Sequence, residues 1–223
     1  MDWSFIAEHV PDYLSGASVT LRFGLYGVLL SLAVGLLCCL VRYFRVPVAR
    51  LLAHAYVELS RNTPLLVQLF FLYAGLPRVG VKLSAEACAV IGLTFLGGGY
   101  MAEAFRSGLD AIEKSQKEAG ECLGLTKAQL IRYILLPEAL ATAAPALFAN
   151  VIFLIKETSM FSVLAMMDLM NVADTLRTSG GRTIEVLFML AAAYFIILLP
   201  ISVLASLVER RLRRGESGNQ RPV

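Results

Sequence analysis

The sequence predicts an all-α integral membrane protein, and three observations carry that expectation. Of the 223 residues, 57% are hydrophobic and only 17% charged, with a mean hydropathy of +0.69. A water-soluble surface of ordinary charge density cannot be built from that share, and the hydropathy argues against one large soluble core. Five apolar stretches come close to the roughly 20 residues a helix needs to cross a bilayer. Arg and Lys gather in alternate connections between those stretches, as they do in multi-pass proteins. The net charge of +3 is no nucleic-acid signal, and no nucleic-acid partner is expected.

Residues 1–19 begin MDWSFIAEHVPDY, acidic and without Lys or Arg. A secretory signal begins with a basic region, so the segment reads instead as an extracytoplasmic interfacial piece. Trp3, Phe5 and Tyr13 would be its anchors. The first span is expected over 20–41, with Arg22 snorkelling to the headgroups. The second runs over 56–76 from a polar start. There Glu58 and Arg61, three apart, read as an interfacial ion pair, and Pro64 stands where proline opens or kinks a helix. The third span, 85–105, contains Gly97-Gly98-Gly99. That run permits close helix packing or a hinge; Ala87, Ala89 and Gly92 in the same span favour packing. The fourth and fifth spans are expected over 143–165 and 184–208. Residues 20–208 thus form one transmembrane domain, with no repeat or low-complexity segment. A basic tail, 209–223, follows; its first arginines face anionic lipid and its remainder is expected to be disordered.

The loops orient these spans. Arg42, Arg45, Arg50, Arg61, Arg106, Lys114, Lys117, Lys127, Arg132, Arg210, Arg211, Arg213, Arg214 and Arg221 fall on one side. Only Arg78, Lys82, Arg177 and Arg182 fall on the other. The positive-inside rule then places the N-terminus outside and the C-terminus in the cytoplasm. Cys38, Cys39, Cys88 and Cys122 lack metal-ligand spacing and read as small buried hydrophobes, so no metal site is expected.

The cytoplasmic loop 106–137 holds the most structured polar stretch, SQKEAGECLGLTKAQLIRYILLP. Ser115-x-x-Glu118 has the form of a capping box. Its helix would pass through Ala119 and Leu123, which share a face, and stop at Gly124 in a left-handed conformation. A second box, Thr126-x-x-Gln129, would open a helix that Pro137 ends. Two capped helices about Gly124 make an elbow, which either docks on a soluble partner or rests on the membrane.

Glu118-Ala119-Gly120, then Gly124 and Leu136-Pro137, resembles the EAA loop of ATP-binding-cassette importer permeases, with Gly120 where alanine is frequent. Three further stretches resemble the polar amino-acid branch of that family. They are Tyr100-Met101-Ala102-Glu103-Ala104-Phe105-Arg106, the Arg61-Asn62-Thr63-Pro64-Leu65-Leu66-Val67-Gln68 run, and Lys156-Glu157-Thr158-Ser159-Met160. Asn62 stands where glycine is usual, and asparagine also tolerates a left-handed turn. The resemblance implies a bacterial inner-membrane permease that pairs with a second permease copy or paralogue. It also implies two cytoplasmic ATPases and an extracytoplasmic solute-binding protein. Glu118, Ala119, Gly120, Leu123, Gly124 and Leu125 would be the ATPase-coupling surface. The chain has no phosphate-binding Gly-x4-Gly-Lys-[ST] loop, so it is expected to hold no cofactor. ATP and Mg would sit on the partner ATPase.

Charges at membrane depth are functional candidates by default. Glu103 either lines a pathway or pairs with Arg106, three along the same helix. Lys156 and Glu157 are adjacent, so they diverge by about 100° on a helix and cannot share one partner; which of them faces the pathway is open. Asn150, Thr158 and Ser159 cluster with them. Glu157 suits an ammonium or guanidinium group, and the two hydroxyls could serve a carboxylate. Translocation of a polar amino acid is therefore the leading expectation. Arginine, histidine, glutamine, glutamate and cystine all remain open. The rivals are a secondary carrier or channel without an ATPase, and a membrane enzyme. For an enzyme, His9 and His54 lack metalloprotease spacing and no G-x-S-x-G occurs.

Overall fold

A stripe of small residues on the first helix decides how the bundle packs. In the computed structural model, which describes residues 1–180 and 182–217, α1 (Trp3–Tyr43) buries Gly24, Gly27, Ser31 and Gly35 on one face. The helix α4 (Ala85–Asp110) lies along the Gly27–Gly35 part of that face. A Cβ added at Gly27 would stand 2.5 Å from Leu93, one at Gly97 2.2 Å from the Ser31 hydroxyl, and one at Gly35 2.5 Å from Met101. Only small residues allow backbones this close, and between apolar helices such contact supplies the van der Waals attraction that lipid cannot. The glycine run of α4 is spent on packing, since Cβ atoms at Gly98 and Gly99 would collide with the Tyr56 and Ser60 hydroxyls.

The pairs Gly27–Leu93, Ser31–Gly97 and Gly35–Met101 advance together, so α1 and α4 run parallel. Parallel neighbours need a return crossing between them. Residues 44–84 supply it in two pieces, α2 (Ala49–Arg61) and a run over Leu65–Val79. That run comprises α3 (Leu65–Phe70), a π-helical turn (Phe71–Gly75) and a 3-10 turn (Leu76–Val79). The expected single span over 56–76 is thus a broken one. Thr63-Pro64 interrupts it, because proline has no N–H to donate and disfavours helix at the residue before it.

Among the described residues, four helical stretches are long and apolar enough to cross a membrane: Trp3–Tyr43, Ala85–Asp110, Ile131–Leu164 and Thr183–Leu212. The third of these contains α7 (Leu136–Glu157), antiparallel to α4. Gly108 lies against Ala139 and Ala143, Asn150 Nδ2 donates to the Tyr100 carbonyl at 3.2 Å, and Leu154 meets Gly97. The last belongs to α9 (Thr183–Ser217). Residues 218–223, the end of the expected basic tail, lie outside the described residues, as does Gly181.

Two expectations are corrected by length. Residues 1–19 do not form a separate interfacial segment but the opening turns of α1, because they have a protein surface to bury. Tyr13 is buried and donates to the Val186 carbonyl at 2.8 Å, with Phe5 and Ile6 packed on the same cluster. Asp2, which caps α1 through the amides of Ser4 and Phe5, also pairs with Arg182 ahead of α9. The fourth span begins before Pro137 rather than after it. A π-helical turn, Ile131–Leu135, leads directly into α7 with proline in its first turn, where a missing N–H costs little.

The end of the bundle where α1 begins is closed by α8 (Leu169–Gly180). Gly16 fits against Asp168 and Val172, and the Leu169 amide donates to Thr20 Oγ1 at 3.2 Å. Asp168 is fully buried; its Oδ1 accepts from the Asn171 amide at 3.0 Å, while Oδ2 has no partner. The neighbouring titratable group across the packing is Tyr194 on α9, whose hydroxyl also lacks a geometric partner. Burial pushes the Asp168 carboxyl up from 3.8 to about 6, against backbone hydrogen bonds that pull it down. Between about pH 4 and 6 an unpacked Asp168 releases a proton that the packed one keeps. Raising pH through that window therefore weakens α8 packing, by up to about 3 kcal/mol, and above it no further. Asp168→Asn keeps the cap and removes the titration. In hydrogen exchange, wild-type α8 amides should lose protection across this window while the asparagine variant stays flat. Parallel profiles would show that Asp168 does not titrate there.

Candidate functional site

The break in the second crossing is a built feature. Pro64 is extended, with φ −62° and ψ 141°, and has no N–H to give the Ser60 carbonyl. Side chains add to or replace the helical bonds here. Asn62 Nδ2 donates to the Glu58 carbonyl at 2.8 Å, beside the Asn62 backbone N–H at 3.2 Å, and Thr63 Oγ1 donates to the Leu59 carbonyl at 2.8 Å. Gln68 Nε2 reaches back from α3 to Thr63 Oγ1 at 2.8 Å, the Thr63 carbonyl at 3.1 Å and the Ser60 carbonyl at 3.3 Å. Gln68 is thus a splint across the break, and each buried carbonyl it serves would otherwise cost about 1–3 kcal/mol.

The break faces a cavity of about 600 Å³, within the size range of small-ligand sites. One wall is Arg61, Asn62, Thr63 and Pro64; the other is Tyr100, Phe153, Glu157 and Met160. Arg61 stacks its guanidinium 5.5 Å from the centre of the Tyr100 ring, and Tyr100 in turn packs against Phe153 at 5.2 Å. The expected Glu58–Arg61 ion pair is not formed: Glu58 accepts from Asn62 and lies 4.0 Å from His54. Arg61, an exposed residue, lies instead over the Tyr100 face, which offers a cation–π contact. The cavity therefore brings a guanidinium and a carboxylate to one apolar, aromatic chamber.

Of the pathway candidates, Glu157 lines this cavity. Its neighbour Lys156, about 100° further round the helix, does not; it is exposed. Thr158 is fully buried and donates to the Ile155 carbonyl at 2.7 Å, so its hydroxyl is committed elsewhere. Ser159 is half-buried in the 3-10 turn Thr158–Leu164, where its carbonyl accepts from Ser162. Asn150 is held by Tyr100, as above. Glu103 lies away from the cavity between two arginines, with Arg42 Nη1 at 2.6 Å and Arg106 Nη2 at 2.7 Å. Arg61 escaped sequence reasoning because Glu58 three residues before it offered a ready partner. The Thr-Pro pair was the signal that the helix could not continue past it.

The second candidate surface is the loop between α4 and α7. Here α5 (Lys114–Cys122) starts two residues earlier than the expected box, which would put its first helical residue at Gln116. Glu113 is the capping position, and Ser115 donates to its carboxylate at 2.9 Å instead of capping. Gly124 does turn left-handed, with φ 75°, and leads to α6 (Lys127–Leu130). The second box is formed: the Thr126 amide donates to Gln129 Oε1 at 2.9 Å and the Gln129 amide to Thr126 Oγ1 at 3.4 Å. Gly120 is the packing contact inside the elbow, since a Cβ there would stand 2.4 Å from Leu130 and 3.0 Å from Ile134. Gln116 ties α5 to α7 through Glu138 at 2.7 Å. Glu118, Ala119, Leu123 and Gly124 are left facing outward, and Leu125 is half-buried. Leu123 is an apolar side chain left 79% exposed among the described residues. Cys122 is exposed too, unlike the buried Cys39 and Cys88, because it lies on this outward face.

A four-span bundle with one broken crossing and a projecting elbow matches a known family. Residues 27–214 match the family described as "Binding-protein-dependent transport system inner membrane component". The chain belongs to this family. A probable amino-acid ABC transporter permease protein, PatM of Vibrio harveyi, is 33% identical over 217 residues, covering 96% of this chain and 97% of that protein. The glutamine transport system permease protein GlnP of Escherichia coli (strain K12) is 33% identical over 214 residues, 95% of this chain and 98% of its own length. Among solved structures, an amino acid ABC transporter crystallised with histidines matches with a TM-score of 0.88 and 34% identity, over 95% of this chain and 99% of that one. The MetNI methionine ABC transporter, in an inward-facing conformation, matches with a TM-score of 0.71 at 22% identity, and this supports the fold alone.

Family membership decides between the rival readings. The permease is a multi-pass inner-membrane component of an ATP-driven, binding-protein-dependent importer, not a gradient-driven carrier. Nucleotide hydrolysis belongs to a separate subunit of such systems, and the permease itself is not the enzyme.

Proposed function

We propose that this permease carries a polar α-amino acid, held in the cavity at the broken second crossing during alternating access. One observation carries the reading: Arg61 and Glu157 line the same chamber. An α-amino acid is a zwitterion, so it needs a cation for its carboxylate and an anion for its ammonium. Arg61 offers the planar donor pair that suits a carboxylate, and Glu157 accepts from the ammonium or from a basic side chain. This assignment moves the carboxylate partner from Thr158 and Ser159 to Arg61. The aromatic wall, Tyr100 and Phe153, offers an apolar surface between the two charges. The relatives named for amino-acid and glutamine transport support the substrate class. Arginine, histidine, glutamine, glutamate and cystine each fit the same backbone recognition.

The working assembly contains a second permease copy or paralogue, two ATPases that hold ATP and Mg, and an extracytoplasmic solute-binding protein. The N-terminus faces outward and the basic C-terminal end faces the cytoplasm. Lys156 supports the second permease chain. It is exposed at the level of the cavity, and a lysine left to lipid at mid-span costs about 2.5–3.5 kcal/mol on insertion scales. A neighbouring chain that covers it removes that cost. ATP-driven closure of the ATPases draws the α5 elbows together and opens the cavity outward; hydrolysis returns it inward.

The test is ATPase stimulation of the purified complex in liposomes, with the binding protein present, screened across the five candidates and leucine. A polar amino acid should stimulate severalfold, while its decarboxylated and N-acylated forms should not. Absence of stimulation by any α-amino acid would reject the reading.

A further inference from the structure

A second, smaller notch lies at the other end of the bundle, where α1 and α4 finish and α2 begins. Its volume is about 160 Å³, and Arg42, Arg50, Arg106 and Asp110 supply its charges, with Tyr43 beside them. This is well below the roughly 300–1,000 Å³ of sites that enclose a drug-sized ligand, so whatever fills it is a small group. Three guanidiniums meet here. Glu103 behind the notch is shared, one oxygen to Arg42 and the other to Arg106, and Asp110 takes a further Arg106 nitrogen. Both carboxylates are therefore committed to two of the arginines. Arg50 has no carboxylate partner among the described residues, and Arg42 engages a carboxylate through Nη1 alone. The notch keeps one uncompensated positive charge and several unfilled guanidinium donors.

We propose that this notch binds a phosphate-bearing anion, with Arg50 and Arg42 as its principal donors and Arg106 held in place by Glu103 and Asp110. Guanidinium forks match phosphate oxygens in pairs, which an ammonium cannot do. No side chain caps α2, whose first turn carries Arg50, so the positive end of that helix adds to the same field. The ligand chemistry has two sources, the phosphodiester of a membrane lipid and free phosphate. Position favours the lipid. The notch sits at the ends of two membrane-spanning helices, with Tyr43 and Phe44 exposed beside it, the depth at which aromatic residues meet headgroups. A lipid held there would clamp the ends of α1 and α4 to the start of α2, the segment that leads into the substrate cavity.

The test is native mass spectrometry on the purified complex, stripped of lipid and titrated with phosphatidylglycerol in a phosphatidylcholine background, or with inorganic phosphate alone. Wild type should retain phosphatidylglycerol, and Arg50→Gln should need about tenfold more lipid for equal occupancy. Arg50→Lys should restore only part of the affinity, because a point charge replaces the fork. Arg50 is exposed, so the variants are expected to fold. If inorganic phosphate binds in an Arg50-dependent way and the lipid does not, the site stands with free phosphate as its ligand. Equal occupancy of wild type and Arg50→Gln for both probes would overturn the proposal.

Discussion

Replacing Glu157 by glutamine is expected to raise the amino-acid concentration for half-maximal ATPase stimulation by about 10- to 100-fold. The substitution keeps the shape and removes one charge. A hydrogen bond to a charged group is worth about 1.5–3 kcal/mol, and each 1.4 kcal/mol is about tenfold in affinity. Glu157 lines the chamber through which its carboxylate would meet the substrate, so the effect should fall on half-saturation more than on maximal rate. Arg61→Gln tests the opposite pole. The two variants should differ with the substrate's decarboxylated amine as a competitor. Loss of Glu157 should weaken that amine's inhibition, while loss of Arg61 should leave it unchanged. Half-saturation unmoved in Glu157→Gln would remove Glu157 from the ligand set. Equal effects of both variants on the amine would dissolve the division of labour between them.

The spans were legible where hydropathy alone decides, and illegible where hydrogen bonding does. Apolar composition located the four long helices, and the small residues around Gly97 pointed correctly to close packing. The second crossing looked continuous because the apolar run from Leu65 to Leu76 could be extended back through its polar start to Tyr56. Its break depends on Pro64 together with donors that sit before and after it, Asn62, Thr63 and Gln68. Such a splint joins residues five and eight apart, and no periodicity exposes it. Arg61 was hidden because its partner, the Tyr100 ring, lies on another helix. Thr158 shows the reverse error, a hydroxyl that looks available in sequence but is used by its own 3-10 turn. The elbow was legible in its hinge, Gly124, and in its second capping box, which are local chemistry. Its first box was misplaced by two residues: the helix is entered at Glu113, and Ser115 donates to that carboxylate instead of capping.

Inserting a charge at Ala119 is expected to abolish ATP-dependent uptake in vesicles while leaving the permease folded. Ala119 is exposed on α5, four residues before Leu123 and on the same face. The opposite face is committed, because Gly120 is packed on Leu130 and Ile134 and Gln116 is tied to Glu138. A small residue beside a protruding leucine can enter a groove on the ATPase, with Leu123 as the buried anchor. Ala119→Asp would then place an unpaired carboxylate in that groove. Leaving a buried charge without its partner costs about 3–5 kcal/mol, which lowers engagement by about two orders of magnitude or more. The ATPase should copurify poorly, and uptake should fall below about 1% of wild type. Membrane insertion and thermal stability should not change, since Ala119 is not among the residues buried within its own chain. Gly120→Leu separates the two roles of the elbow: it should disturb the packing of α5 on α6 and lower stability as well as uptake. If α5 instead rests on the membrane, Ala119→Asp would weaken a lipid contact without loosening the ATPase. Uptake near the wild-type level with undiminished copurification would then exclude this face as the force-transmitting surface.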